Sequence, residues 1–391
     1  MAIIYSAITV GTGIGPFVGG AIVQKSSWRW VFLLNLPIGG LARLLVTAFL
    51  RVSYNKESTI QAKLMRIDYV GNAIFIPSAI AILLALTYGG TIYPWSSWRV
   101  ISPLAIGFVG LGGFAIFEWS KYCVEPTMPP GLFSNRTTVA ALALSFIDYM
   151  LLYWVTYYLP VYFQSVQGSS PIRAGVQLLP FVLVMIPFAA IGGKLLARSG
   201  RYRIIHLVGF GFMVTGFGLM TMLQSTSSMA AWVCYPLVVA VGCGLVSSTV
   251  LPAVQASLDD KDTATATGTW GFIRTFGMLW GVAIPAAVFN NQINALAYRI
   301  SDPIIASLLS NGRAYEFATS SFVKLFHGPV KAEIIGVYSD SLKLVWKVAI
   351  GVAGLGFLLV FVEKEIDLKT DLKTDYGMKE KKAKMGGVVD A

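Results

Sequence analysis

Asp148 is the group in this chain most in need of a chemical explanation. It stands about ten residues into an otherwise apolar run, 138–163, where a charged side chain costs about 3 kcal/mol to place in hydrocarbon. Ala141, Ser145 and Thr156 fall near the same side of a helix by their spacing, small and polar enough to border a wet cavity. Two readings are open. A carboxylate so placed can take up and release a proton as its surroundings change, or it can be a structural group hydrogen-bonded to a neighbouring helix. Aromatic residues crowd the same run, among them Tyr149, Tyr153, Trp154, Tyr157 and Tyr158. Some suit an interfacial belt. Those facing inward suit flat, amphipathic or cationic compounds through stacking and cation–π contact. Gln177, early in the next run, is a polar candidate for the same cavity.

The other charges in apolar runs have plainer readings. Arg43 is placed to snorkel to the cytoplasmic surface, and Arg274 reads as an interfacial anchor. Asp68 begins a run and reads as a helix N-cap. Glu118 closes one and is expected at the interface. No phosphate-binding loop is present, because Gly193-Lys194 is followed by Leu195 and Phe188 stands where the first Gly would be. HExxH, GxSxG and CxxCH motifs are also missing. Cys123, Cys234 and Cys243 show no paired spacing, and His206 and His327 are too few for a histidine metal centre. An ATP-driven pump, a membrane hydrolase and a haem protein therefore lack support. No catalytic residue, metal or cofactor is expected.

The elements that must carry these groups are membrane helices. Of 391 residues, 55% are hydrophobic and only 13% charged, against about 25% charged in ordinary soluble domains. A soluble core cannot absorb so much apolar surface with so few charges to cover it. About 20 apolar residues cross the hydrocarbon core, and ten such runs can be read: 2–23, 30–50, 68–89, 100–118, 138–163, 175–197, 204–223, 230–257, 268–289 and 344–363. The expected fold is an all-α polytopic membrane protein. The long stretch 290–343 is expected to form short helices on the outer face. An even number of spans puts both termini on one side, and that side gathers nineteen Lys and Arg. The short loops opposite hold Lys25, Arg29, Arg99 and Arg173 only. The positive-inside rule makes the termini cytoplasmic. The net charge of +11 is thereby a topology signal that needs no nucleic-acid partner. The first run has no basic leader and no cleavage site, which argues against a signal peptide.

Two strings then lend the chain a resemblance. The first run contains Gly11-Thr-Gly13-Ile-Gly15-Pro16-Phe-Val-Gly19-Gly20, and the second opens Trp28-Arg29-Trp30 and continues Asn35-Leu-Pro37-Ile-Gly39-Gly40. Glycines at these spacings let a neighbouring backbone approach, and Pro16 bends its helix. Together with Leu159-Pro160-Val-Tyr162-Phe163-Gln164 and Ser170-Pro171-Ile-Arg173-Ala-Gly175, they resemble the major facilitator superfamily, and within it the fungal fourteen-helix drug:proton antiporters. The resemblance covers essentially the whole chain.

The resemblance implies a major facilitator-type helical bundle, with Gly11, Gly15, Pro16, Gly19 and Gly20 as the antiporter motif. Residues 1–50 would be the last two helices of an N-terminal bundle and 51–137 a central extra pair with its loops. Residues 138–363 would form a C-terminal six-helix bundle and 364–391 a basic cytoplasmic tail. Gly193, Arg198, Gly200, Arg201 and Arg203 are similar to the superfamily's loop signature, a candidate gating latch; Ala197 replaces its usual carboxylate. The implied function is proton-coupled export of small amphipathic drugs, toxins or secondary metabolites. Asp148, Ser145, Thr156, Tyr157 and Gln177 would line the proton and substrate cavity. Uptake or exchange of a metal chelate or other solute, and a truncated non-transporting protein, are the alternatives. The partners would be a small molecule, protons and the lipid bilayer. A monomer in the plasma membrane is favoured over a vacuolar location. Ten spans of an expected fourteen also imply that four front helices are missing, so the chain would insert but transport poorly alone.

Overall fold

Continuous apolar runs with capping residues at their ends dictate what forms. The computed structural model describes residues 2–49, 67–123, 126–256, 258, 263–310 and 312–366, with the backbone alone at 2–10, 12, 13 and 16. The ring of Pro16, residues 50–66 and those beyond Ile366 lie outside the described residues. The α-helices are α1 (Ala2–Lys25), α2 (Arg29–Leu33), α3 (Asn35–Phe49), α4 (Tyr69–Tyr88), α5 (Trp98–Glu118), α6 (Arg136–Val161) and α7 (Pro171–Ser199). They continue as α8 (Tyr202–Met220), α9 (Met229–Ser247), α10 (Val250–Gln255), α11 (Thr263–Leu296), α12 (Pro303–Leu309), α13 (Ser320–Val323) and α14 (Gly328–Leu359). Among the described residues there is no strand, and nine helical segments are long and apolar enough to cross a membrane. The 24 residues of α1 occupy the first expected run.

Helix ends follow their capping chemistry. Asp68 accepts the Gly71 N–H at 2.7 Å at the start of α4, as expected. Asn135 accepts the Thr137 N–H at 2.8 Å at the start of α6, and Ser170 caps α7 ahead of Pro171 at its first position. Gly200, at φ +68°, ends α7 with its N–H on the Leu196 carbonyl, a left-handed conformation that glycine adopts without penalty.

The connection before the last span is shorter than expected. Instead of a loop over 290–343, α11 continues to Leu296 and α14 begins at Gly328, leaving only about thirty residues, with α12 and α13, between them. The extensions are polar, with Asn290, Asn291, Asn294, Lys331, Glu333 and Asp340, so an apolarity criterion cannot see them. They are held by Arg299 donating to Asp340 at 2.7 Å, by Ser301 on Glu333 and by stacking of Phe289 on Tyr338.

The buried core runs from Leu132 to Val360 with α6 at its centre. Gly277 and Gly281 on α11 lie directly against the Phe146 and Met150 carbonyls of α6, where a Cβ would not fit. That spacing of small residues lets two helices close together where no hydrophobic effect drives them. By contrast, α2 and α3 contain no buried residue. The α4–α5 hairpin leans on α11 through Phe75, Phe114, Phe272 and Phe276, and α1 meets the start of α7.

Candidate functional site

The helix α6 positions the chemistry, and it has two distinct faces. On one, Ala141, Ser145 and Asp148 are fully buried. The Ser247 hydroxyl, at the end of α9, donates to Asp148 Oδ2 at 2.7 Å. Asp148 Oδ1 and Ser145 Oγ are buried without a hydrogen-bond partner. An orphaned buried polar atom costs about 1–3 kcal/mol, so a native helix that keeps two of them on adjacent turns calls for a reason. Trp154 Nε1 and Tyr158 Oη are further orphans on the same helix.

The other face is open and aromatic. Tyr153 and Tyr157 stack with centroids 5.9 Å apart, and Tyr157 is 42% exposed. Phe146 lies two turns before Tyr153 and packs on Phe276 of α11. Thr156 is half-buried and turns its hydroxyl to the Leu152 carbonyl of its own helix. The five cavity candidates therefore fall into separate groups. Ser145 and Asp148 are packed inside the bundle, while Tyr157 is on the open stripe. Gln177 stands elsewhere: its amide donates to Gln167 at 3.1 Å, Gln167 to Tyr162, and Tyr162 to the Gln224 carbonyl. Gln167 is nineteen residues beyond Asp148, about 28 Å of helical rise.

Arg274 was expected to be an interfacial anchor, and its surroundings are different. The Thr269 hydroxyl donates to the Thr127 carbonyl in the α5–α6 connection, which ties this level of α11 to that connection. Arg274 is five residues further in, about 7.5 Å. Its guanidinium lies over the rings of Trp270 at 4.6 Å and Tyr149 at 5.1 Å, and its Nε is buried with no acceptor. Such contacts recover about 0.5–2 kcal/mol each, against about 3 kcal/mol for placing the cation in hydrocarbon. The two contacts together offset much of that cost, and the Nε hydrogen is what stays without an acceptor. Trp270, four residues earlier on the same helix face, was the signal in the sequence.

The candidate gating loop finds its partner at the end of the chain. Arg203 lies over the Phe361 ring at 6.0 Å and donates to the Phe361 carbonyl at 3.4 Å. Arg198 and Arg201 are exposed, and Gly193 has open space about it. Sequence reasoning missed the centre of this region. His206 Nδ1 is 2.9 Å from Glu363 Oε2, both side chains fully buried. Around them the strand of chain after α14 is fastened: the Tyr202 hydroxyl is bonded to the Lys364 carbonyl and accepts the Ile366 N–H, and the Thr137 hydroxyl accepts the Lys364 N–H at 3.1 Å.

In the glycine-rich first helix, no atom lies within 4 Å of where a Cβ would stand at Gly11, Gly15 or Gly19, whereas Gly20 abuts the Pro171 carbonyl at 2.7 Å. Among the described glycines of α1, Gly20 is the one pressed against α7. Asp68, Glu118 and Cys123 bring potential ligand atoms within 4.8 Å of one another. Glu118 is buried, though it was expected at the interface, because its oxygens accept the Thr127 and Met128 N–H groups. With Asp68 already capping α4, the cluster is a clasp between helix ends.

The family model described as Major Facilitator Superfamily matches residues 1–282. The MFS-type transporter gkaD of Penicillium citrinum is 51% identical over 385 residues, covering 98% of this chain and 66% of that protein. The MFS-type efflux transporter phmH of Phaeosphaeria nodorum is 44% identical, covering 98% and 68%. Among solved structures, a bacterial homolog of the human lysosomal transporter Spinster, inward-facing and occupied, is similar over 91% of this chain and 81% of that one, with 13% identity and a TM-score of 0.47. The chain spans about two thirds of the length of the curated relatives it matches.

Proposed function

This chain belongs to the major facilitator superfamily, and from that premise we propose that it is a secondary transporter that exports small amphipathic compounds by alternating access, coupled to proton influx. The export direction is supported by the likeness to phmH, an MFS-type efflux transporter. Both termini are assigned to the cytoplasm from the loop charges, and the plasma membrane is the favoured site. A monomer is the working unit.

One observation carries the coupling. The Asp148 carboxyl is fully buried between α6 and α9 with one oxygen on the Ser247 hydroxyl and the other on nothing. A carboxyl held by a single hydroxyl across a helix–helix seam changes its surroundings whenever the helices part. Alternating access parts such seams, and the group then trades its proton with water on the side that opens. The aromatic face of α6, with Tyr153 and Tyr157, serves as the platform for a flat or amphipathic solute.

The test is efflux from proteoliposomes with and without an imposed pH gradient. Asp148→Asn keeps an acceptor for Ser247 and removes the titratable group. It should abolish the response to the gradient while the protein inserts and melts normally. An unchanged gradient dependence would return Asp148 to a structural role.

A further inference from the structure

Arg274 is a charge in the spanning region that proton coupling leaves unused. We propose that Arg274 binds the carboxylate of an amphipathic substrate whose apolar part lies along the aromatic stripe of α6. The proposal rests on the transport reading and names the substrate class for it.

Among the described residues no carboxylate pairs with Arg274, and its Nε is buried without an acceptor. Trp270 and Tyr149 set their rings, nearly perpendicular to each other, against the guanidinium. Cation–π contact supplies no acceptor oxygen, so it does not satisfy the N–H groups that make the two-pronged contact with a carboxylate. The nearest intramembrane acid does not serve. Asp148 is directed to Ser247 on α9, whereas α11 meets α6 at Phe146 and Met150. Arg274 lies close above the Thr269–Thr127 contact, on the end assigned to the cytoplasm, so a solute leaving the cytoplasm meets the cation before it reaches Tyr153 and Tyr157. An ion-pairing group at one end and stacked tyrosines beyond it describe an amphipathic acid.

The same anionic chemistry could come from a lipid headgroup, and the experiment separates the two. The full chain is reconstituted in phosphatidylcholine vesicles, and binding of pyrenebutanoic acid is compared with that of its methyl ester by fluorescence. The wild type should bind the acid about tenfold or more tightly than the ester, as loss of one charge-assisted hydrogen bond implies. Arg274→Gln should erase the preference, and Arg274→Lys, which keeps the charge but not the fork, should retain part of it. Equal behaviour of acid and ester in the wild type, whether both bind or neither does, overturns the proposal, as does a preference that survives in Arg274→Gln. Loss of the acid preference when phosphatidylglycerol is added assigns the cation to lipid and also overturns it. The wild type's proton-driven export of either probe is measured separately. Acid-selective binding without export sinks the transport reading alone, and export without acid selectivity sinks this proposal alone.

Discussion

Glu363 and Asp148 are both fully buried carboxylates, and the molecule treats them in opposite ways. Glu363 faces His206 at 2.9 Å, inside a strap whose backbone is tied to Thr137, Tyr202 and Arg203 on two other helices. Asp148 has one hydroxyl and an empty second oxygen. A buried charge with a matched partner and a fixed frame is locked in its state. One with half a partner set is not locked, and an incompletely satisfied polar group inside a membrane domain marks a place where something changes. Burial alone would have ranked the two groups together; both Glu363 oxygens lie within 3.1 Å of His206 Nδ1, whereas one Asp148 oxygen has no partner.

That contrast breaks most visibly at Asp148. Asp148→Asn should reduce gradient-driven efflux to the level of empty vesicles with little change in melting temperature, since the Ser247 hydroxyl keeps an acceptor. The same substitution logic at the paired site should give the reverse pattern. Glu363→Gln removes one of the two oxygens that meet His206 Nδ1 in a dry site, a loss of about 1–3 kcal/mol, seen as a lower thermal midpoint in detergent. The residual transport should keep its full dependence on the proton gradient. A variant at Glu363 that melts normally but loses gradient dependence would exchange the two assignments.

The sequence makes some of this legible and hides the rest for physical reasons. The spans could be read because lipid demands about twenty apolar residues each. The polar extensions of α11 and α14 could not, because Asn291 and Asp340 stand outside the apolar criterion while still packing helix on helix. Asp148 announces itself as a charge in an apolar run. Its direction is another matter, because periodicity gives the face but not the neighbour, and that neighbour is α9 rather than an open cavity. The link of His206 to Glu363 spans 157 residues and leaves no local pattern. Arg274 looked interfacial because the apolar run was read from 268, whereas α11 starts at Thr263. Five more residues of helix give the cation the neighbours Trp270 and Tyr149 in place of a free end.

A smaller effect sharpens the comparison at Asp148's one partner. Ser247→Ala removes the hydroxyl and leaves both carboxyl oxygens unbonded. A hydrogen bond to such a group contributes about 1.5 kcal/mol, so efflux should fall about tenfold and stay dependent on the gradient. Ser247→Thr, which restores a hydroxyl at the same position, should recover most of it. If the alanine variant behaves as Asp148→Asn does, the hydroxyl relays the proton itself.

The smallest expected effect is at Ser145, one turn before Asp148 on the same packed face. Its hydroxyl is fully buried and has no acceptor, so it contributes no hydrogen bond to the fold that could be lost. Ser145→Ala deletes an unsatisfied polar atom, and a change of that kind is close to neutral, within about 0.5–1 kcal/mol, or slightly stabilising. The thermal midpoint should therefore stay or rise. Transport gives the second readout. If the orphan hydroxyl is kept for the moment when Asp148 meets water, the alanine variant will be as stable as the wild type yet respond more weakly to the proton gradient. A variant with both stability and gradient response intact would leave Asp148 and Ser247 as the whole of the unlocked site. A marked fall in the midpoint would mean that Ser145 is engaged in packing that its missing partner does not reveal, and the contrast between locked and unlocked groups would then have to rest on Asp148 alone.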